Sequence, residues 1–137
     1  MNQLTDARQI KLPKHLDGDG ILVVAEAEKV PFQIQRMFTV AAPARTKRGN
    51  HAHRLCSQFM LCVSGAVDVT CDNGKERKMF VLDRGELALL VPPGIWVEIE
   101  IRQNQSVLIV LCDRPYEEHD YIRDYAEFLS FRKTPRA

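Results

Sequence analysis

Val97, Ile99 and Ile101 alternate with Glu98, Glu100 and Arg102, a two-residue period that builds a strand with one buried face and one wet face. The rest of the chain repeats that theme in short apolar runs separated by turn residues. Ser106 to Cys112 is apolar on both faces, as an interior strand should be. Gln58 to Ser64 and Ala66 to Cys71 flank Gly65, a bend or bulge. Asp72-Asn73-Gly74 predicts a type I′ hairpin, because Asn-Gly supplies the positive φ that this turn needs, and Lys78 to Leu82 is the returning strand. Glu86 to Val91 follows Gly85 and ends at Pro92-Pro93-Gly94. Upstream, the turn Gly18-Asp19-Gly20 precedes a strand over Ile21 to Ala27, and Phe32 to Ala41 is another. Only the C-terminal end reads as helix: Tyr121, Ile122, Tyr125, Phe128 and Leu129 recur at helical spacing, with Asp120 as N-cap. Short antiparallel strands and one terminal helix predict an all-β jelly-roll β-barrel with a short C-terminal helix.

The 137 residues suffice for one domain, 1–137, and are too few for two ordinary ones. A chain of this size buries roughly two thirds of its unfolded surface, so it needs no disulfide or metal staple. The formal net charge of +1 gives no electrostatic reason to expect nucleic acid or an anionic membrane as partner. Cys56, Cys62, Cys71 and Cys112 form no CxxC pair and sit in apolar stretches, which reads as buried reduced thiols in a reducing compartment. Met1 to Pro13 is polar without the apolar region of a secretory signal, and no apolar run approaches a membrane span. The expected location is the cytoplasm.

The chemistry concentrates in Arg48-Gly49-Asn50-His51-Ala52-His53. Two histidines two apart on a strand place both imidazoles on one face, where the strand leaves the basic loop Ala41 to Asn50. Three readings compete. The histidines are structural, or they bind a metal, or they transfer protons, since an unperturbed imidazole titrates at about 6.5. His-x-His resembles the start of the first metal motif of the cupin superfamily. However, Gln58 stands where that motif has a Glu, and Trp96 and Val97 stand where the second motif has a His. Two neutral ligands make a poor divalent site, because mononuclear catalytic centres use three or four protein donors. Proton transfer without a metal or other cofactor is the expected chemistry. His15 and His119, in polar surroundings, are expected to face solvent.

The same run, with Gln58 and Gly65 at their spacings, resembles the sugar 3,4-ketoisomerases, jelly-roll cupins that act on dTDP-4-keto-6-deoxyglucose. Pro31-Phe32 followed by Arg36, Asp72 with Gly74, Pro93 followed by Trp96, and the tail Tyr116-Glu117-Glu118-His119-Asp120-Tyr121-Ile122-Arg123 extend the resemblance over nearly the whole chain. It implies a homodimer, sometimes with strand exchange, and a place in deoxyaminosugar biosynthesis before an amination. The family commonly shows tyrosines after the Arg at position 36, whereas this chain has Met37-Phe38-Thr39.

Moving a ketone from C4 to C3 is a proton relay through an enediolate, with no redox cofactor. His51 and His53 are the expected catalytic pair. Arg36 and Arg48 are candidates for the diphosphate, because guanidinium pairs bidentately with phosphate oxygens. Phe38, Gln58 and Trp96 are the further substrate-binding candidates, although a single Trp beside Pro and Gly also suits core packing. Alternatives are a nucleotide-sugar epimerase, which reprotonates the opposite face, a non-catalytic nucleotide-sugar-binding cupin, and a metal-dependent cupin oxygenase.

Overall fold

A computed structural model describes residues 2–134. Strand β6 (Gln58–Ser64) pairs on one side with β9 (Leu87–Val91) and on the other with β11 (Ser106–Cys112). Strands β1 (Arg8–Lys11) and β4 (Arg36–Ala42) complete this first sheet, in the order β1-β9-β6-β11-β4. The second sheet runs β12-β5-β10-β7-β8, with β5 Lys47–His53, β7 Val67–Asp72, β8 Arg77–Leu82, β10 Trp96–Ile101 and β12 Tyr121–Ile122. A separate hairpin joins β2 (Lys14–Asp17) to β3 (Gly20–Val23). Every pairing is antiparallel, as the all-β jelly-roll expectation requires.

The two sheets face each other across one apolar core. Met60, Cys62, Leu108, Val110 and Cys112 of the first sheet meet Val67, Val69, Cys71, Val97, Ile99 and Ile101 of the second. All four cysteines are buried and free. The outer face of the first sheet is covered as well: Phe59, Leu61, Ala88 and Leu90 pack under Leu12 and Val30 of the N-terminal segment. This double burial is why β6, β9 and β11 read as continuous apolar runs, whereas β10, wet on its outer face, alternates.

On the outer side of the second sheet, helix α1 (Tyr125–Lys133) docks through Phe128, which is fully buried against Ala52, Trp96 and Ile122. Arg54 ties the approaching tail to the end of β5, donating to the carbonyls of His119 and Tyr121 and pairing with Glu127.

Several elements differ from the sequence reading. Asp120 is not a helix N-cap. It ends a 3-10 turn over Glu118–Asp120, Tyr121 and Ile122 form β12, and the helix starts after Asp124, whose carboxylate caps the Glu127 amide at 3.0 Å. Helical spacing misleads here because Ile122, paired across from Ala52, is buried as a strand residue too. Asp124 followed three residues later by Glu127 is the capping signal that marks the true start. The Asn73–Gly74 turn does join β7 to β8, but the register Asp72↔Arg77 leaves a four-residue loop rather than a type I′ pair. Only Gly74 takes positive φ, at 94°. Asn73 instead uses its side chain to accept from the Lys75 and Glu76 amides.

The strand predicted over Ile21 to Ala27 stops at Val23, since its partner ends against Pro13, which lacks an amide proton. The strand predicted from Phe32 begins at Arg36, opposite Cys112, the last residue of β11. Strands β1 and β2 carry too few apolar residues to be read as strands from sequence.

Candidate active site

Alternation alone would put Arg48 and His51 on opposite faces of β5. They share a face because Asn50 is inserted. Val97 pairs with His51 and Glu98 with Gly49, so Asn50 has no partner across the ladder. Gly49 (φ 82°) and Asn50 (φ 57°) both take left-handed backbone. A Cβ on Gly49 would lie 2.9 Å from the Val97 carbonyl oxygen, so the bulge needs glycine there. The outcome is that Arg48, His51 and Gly49 all border one cavity of about 360 Å³ between the sheets.

Arg36, Phe38 and Thr39 of β4, Gln58 of β6, and Tyr121 and Arg123 of the tail also line this cavity. Aliphatic side chains of the barrel core, Val97 and Leu108 among them, close its base. Among the described residues lining it there are three arginines and no carboxylate, so its field favours an anion. A larger depression of about 890 Å³ lies on the outer face of the first sheet, but its walls are mainly aliphatic and hold no histidine.

His51 is held by its own strand: Nδ1 lies 3.0 Å from the Gly49 carbonyl oxygen. A carbonyl only accepts, so Nδ1 carries the proton and Nε2 keeps the lone pair. Burial, then repulsion from His53, brings His51 down from 6.5 to about 4 against the opposing Gly49 hydrogen bond, so the ring is neutral at neutral pH.

His53 stands next to it, with ring centroids 5.1 Å apart and nearly perpendicular planes. Its Nδ1 donates to Asp120 Oδ2 at 2.8 Å, and Asp120 Oδ1 accepts from the Leu55 amide at 2.6 Å. Both side chains are buried. Burial lowers the His53 pKa and outweighs the Asp120 hydrogen bond and charge, which raise it. Its Nε2 is buried without a protein partner. His53 is not among the residues that line the cavity.

Sequence reasoning missed Arg123, Asp120 and, most of all, Tyr121. Pairing of β12 with β5 sets it opposite His53. Its ring lies 4.4 Å from that of His53 and 5.1 Å from that of His51, and its hydroxyl accepts from Arg36 Nη1 at 3.2 Å. Arg36 in turn lies over Phe38 at 4.7 Å and over Tyr116 at 5.1 Å, so Phe38 acts as a platform for the guanidinium. Arg123 covers the Tyr121 ring at 4.3 Å and is paired with Glu118 at 2.8 Å. Gln58 points its amide at Cys112 Sγ, 3.7 Å away.

Trp96 is placed elsewhere. It is buried between the second sheet and α1, 5.2 Å from Tyr125 and 5.6 Å from Phe128, with Nε1 donating to Glu98 at 3.0 Å. It packs the helix and does not border the cavity. His15 and His119 are exposed.

Cupin folds often hold metals, and His53, Cys56 and Asp120 offer donor atoms within 4.8 Å of one another. As folded they do not fit an ion. Both Asp120 oxygens accept hydrogen bonds, His53 Nδ1 is the donor to one of them, and Cys56 donates to the Ser57 carbonyl. The second histidine of the pair, His51, has Nδ1 fixed by Gly49 and belongs to the cavity wall.

The family described as FdtA, WxcM-like, C-terminal, matches residues 5–133. A curated relative, the TDP-4-oxo-6-deoxy-alpha-D-glucose-3,4-oxoisomerase of Aneurinibacillus thermoaerophilus, is 33% identical over 124 residues, 89% of each chain. Among solved structures, the sugar 3,4-ketoisomerase QdtA of Thermoanaerobacterium thermosaccharolyticum, in complex with TDP, superposes with a TM-score of 0.90 at 28% identity, covering 96% of this chain and 97% of its own. The TDP-quinovose 3,4-ketoisomerase WlaRB of Campylobacter jejuni gives 0.86 at 29% identity, covering 93% and 99%.

Proposed function

Because the chain belongs to the FdtA family of WxcM-like C-terminal domains, we propose that it is an isomerase converting a dTDP-4-keto-6-deoxyhexose to its 3-keto isomer. The relatives supply the reaction class, and the cavity supplies a fitting chemistry. The observation that carries the reading is His51: a neutral imidazole, its tautomer fixed by a backbone carbonyl, bordering a cavity that holds three arginines and no carboxylate.

The C3 proton of the substrate is acidified by the C4 ketone. His51 Nε2 takes it, and a positioned base of this kind contributes roughly 10²–10⁴ in rate. Negative charge then spreads over the oxygens at C3 and C4. Arg36 lies in the cavity wall to stabilise it, and losing such a donor typically costs about 3–4 kcal/mol. Arg48, exposed at the rim, suits the diphosphate. Entry of that anion raises the proton affinity of His51 when substrate is present and a base is required. His53, fixed by Asp120, is the positioning partner behind His51. All steps move protons only, so the reading calls for neither metal nor redox cofactor.

The protein acts as a homodimer in this reading. Leu16 and Ile21, paired across the β2–β3 hairpin, are 74% and 65% exposed, and Ile21 shares with Ile34 and Val63 the depression on the outer face of the first sheet, an apolar surface suited to a second copy. Light scattering on the purified chain tests it, with Ile21→Lys expected to give monomer. Four reduced thiols suit the cytoplasm, and among the described residues no helix is long and apolar enough to cross a membrane.

The reaction is tested by NMR with dTDP-4-keto-6-deoxyglucose in deuterated water and chelator. The expected product is the 3-keto sugar carrying deuterium at C4. A 4-keto product inverted at a neighbouring carbon would make the protein an epimerase, and binding with no deuterium uptake would make it a non-catalytic sugar-binding cupin.

A further inference from the structure

Transfer of the ketone needs an acid as well as a base, since a proton must be delivered to C4. The cavity wall offers few groups able to do so. Arginine does not release its proton at physiological pH, the Gln58 amide and Thr39 hydroxyl are too weakly acidic, and Phe38 has no hydroxyl. His53 is not among the lining residues, and Asp120 holds its proton on Nδ1. Tyr121 remains. Its phenol borders the same cavity as His51, and its oxygen is 3.2 Å from the Arg36 guanidinium, a cation placed to stabilise a phenolate.

We propose that Tyr121 is the catalytic acid that protonates C4, with Arg36 holding the phenolate formed, a role that rests on the ketoisomerase reading above. The proton count closes within the site. His51 takes the C3 proton, the C–H pair becomes the C3=C4 bond, and His51 returns that proton to O4, giving a neutral enediol. His51 then accepts the O3 proton while the C3=C4 pair takes the Tyr121 proton at C4, and the O3–H pair becomes the new C3=O bond. Imidazolium and phenolate, on rings with centroids 5.1 Å apart, neutralise each other and restore the starting forms. The tail thus supplies half of the chemistry, because β12 hydrogen-bonds to the strand that carries the base.

The two half-reactions separate experimentally. In deuterated water, Tyr121→Phe is expected to lose about 100-fold or more in 3-keto product, the scale of a general acid. It should still exchange the C3 proton of the unreacted 4-keto substrate for deuterium. His51→Asn is expected to lose both signals. Equal loss of exchange and isomerisation in Tyr121→Phe, or retention of both, would overturn the role of Tyr121. Absence of exchange in the unaltered protein would instead overturn the ketoisomerase reading itself.

Replacing Tyr121 by 3-fluorotyrosine supplies a variant of nearly native shape. Arg36, Arg123, His51, His53 and Tyr116 surround this phenol. All are unchanged by the fluorine, so the more acidic phenol should move the alkaline limb of isomerisation to lower pH and leave the profile of C3 exchange where it was. An unmoved isomerisation profile would count against the proposal.

Discussion

Asp120 lies 2.8 Å from Nδ1 of His53, although 67 residues separate them in the chain. The carboxylate only accepts, so it fixes the proton on Nδ1 and with it the direction in which the ring presents Nε2.

Asp120→Asn reverses that arrangement. The amide can still accept from Leu55 through its oxygen, but its NH₂ then faces His53 Nδ1 and drives the proton to Nε2. The expected results are a changed His53 tautomer in two-bond ¹H–¹⁵N spectra and at least a roughly tenfold loss of turnover, since misplacement at a catalytic pair costs on that scale or more. A native tautomer with lost turnover would show that Asp120 acts by another route.

Stability should fall in acid. His51 titrates at about 4 when folded against 6.5 when unfolded, so the unfolded chain binds the extra proton first. The stabilising contribution is complete above pH 6.5 and is lost as pH drops towards 4. The gap is worth about 3 kcal/mol. His53, lowered in the same direction, adds to the loss. Urea midpoints measured from pH 7 to pH 4 should decline, and His51→Asn should flatten that decline.

Gly49→Ala tests the bulge. With φ at 82° and the Val97 carbonyl oxygen 2.9 Å from the new Cβ, the strand must shift. The expected cost is about 1–3 kcal/mol in stability, with a loss of turnover because Arg48 and His51 are displaced. Asn50→Gly, at a position that already has φ of 57°, should stay within about 0.5 kcal/mol of the parent.

Arg48→Ala and Trp96→Phe should separate binding from packing. Loss of a charge-assisted phosphate contact is worth about 1.5–3 kcal/mol, so Arg48→Ala should raise KM by about tenfold or more with little change in kcat. Trp96→Phe forfeits the hydrogen bond to Glu98 and should lower stability by about 1 kcal/mol while leaving KM unchanged. A raised KM in Trp96→Phe would bring that ring into substrate binding.

Local sequence determined the interior strands and the histidine pair. Alternation in β10, double-sided apolarity in β11 and the His51–His53 spacing follow from the two-residue period of extended chain, which acts between near neighbours. Tertiary structure decided what surrounds that pair. The bulge at Asn50 exists only because β5 pairs with β10, and it alone brings Arg48 round to the face of His51. Asp120 and Tyr121 sit in a stretch whose spacing suits a helix. Pairing with β5 makes Tyr121 a strand residue, and it sets both side chains against the histidines. A periodic pattern records which residues are buried, but a partner dozens of residues away selects the backbone that buries them.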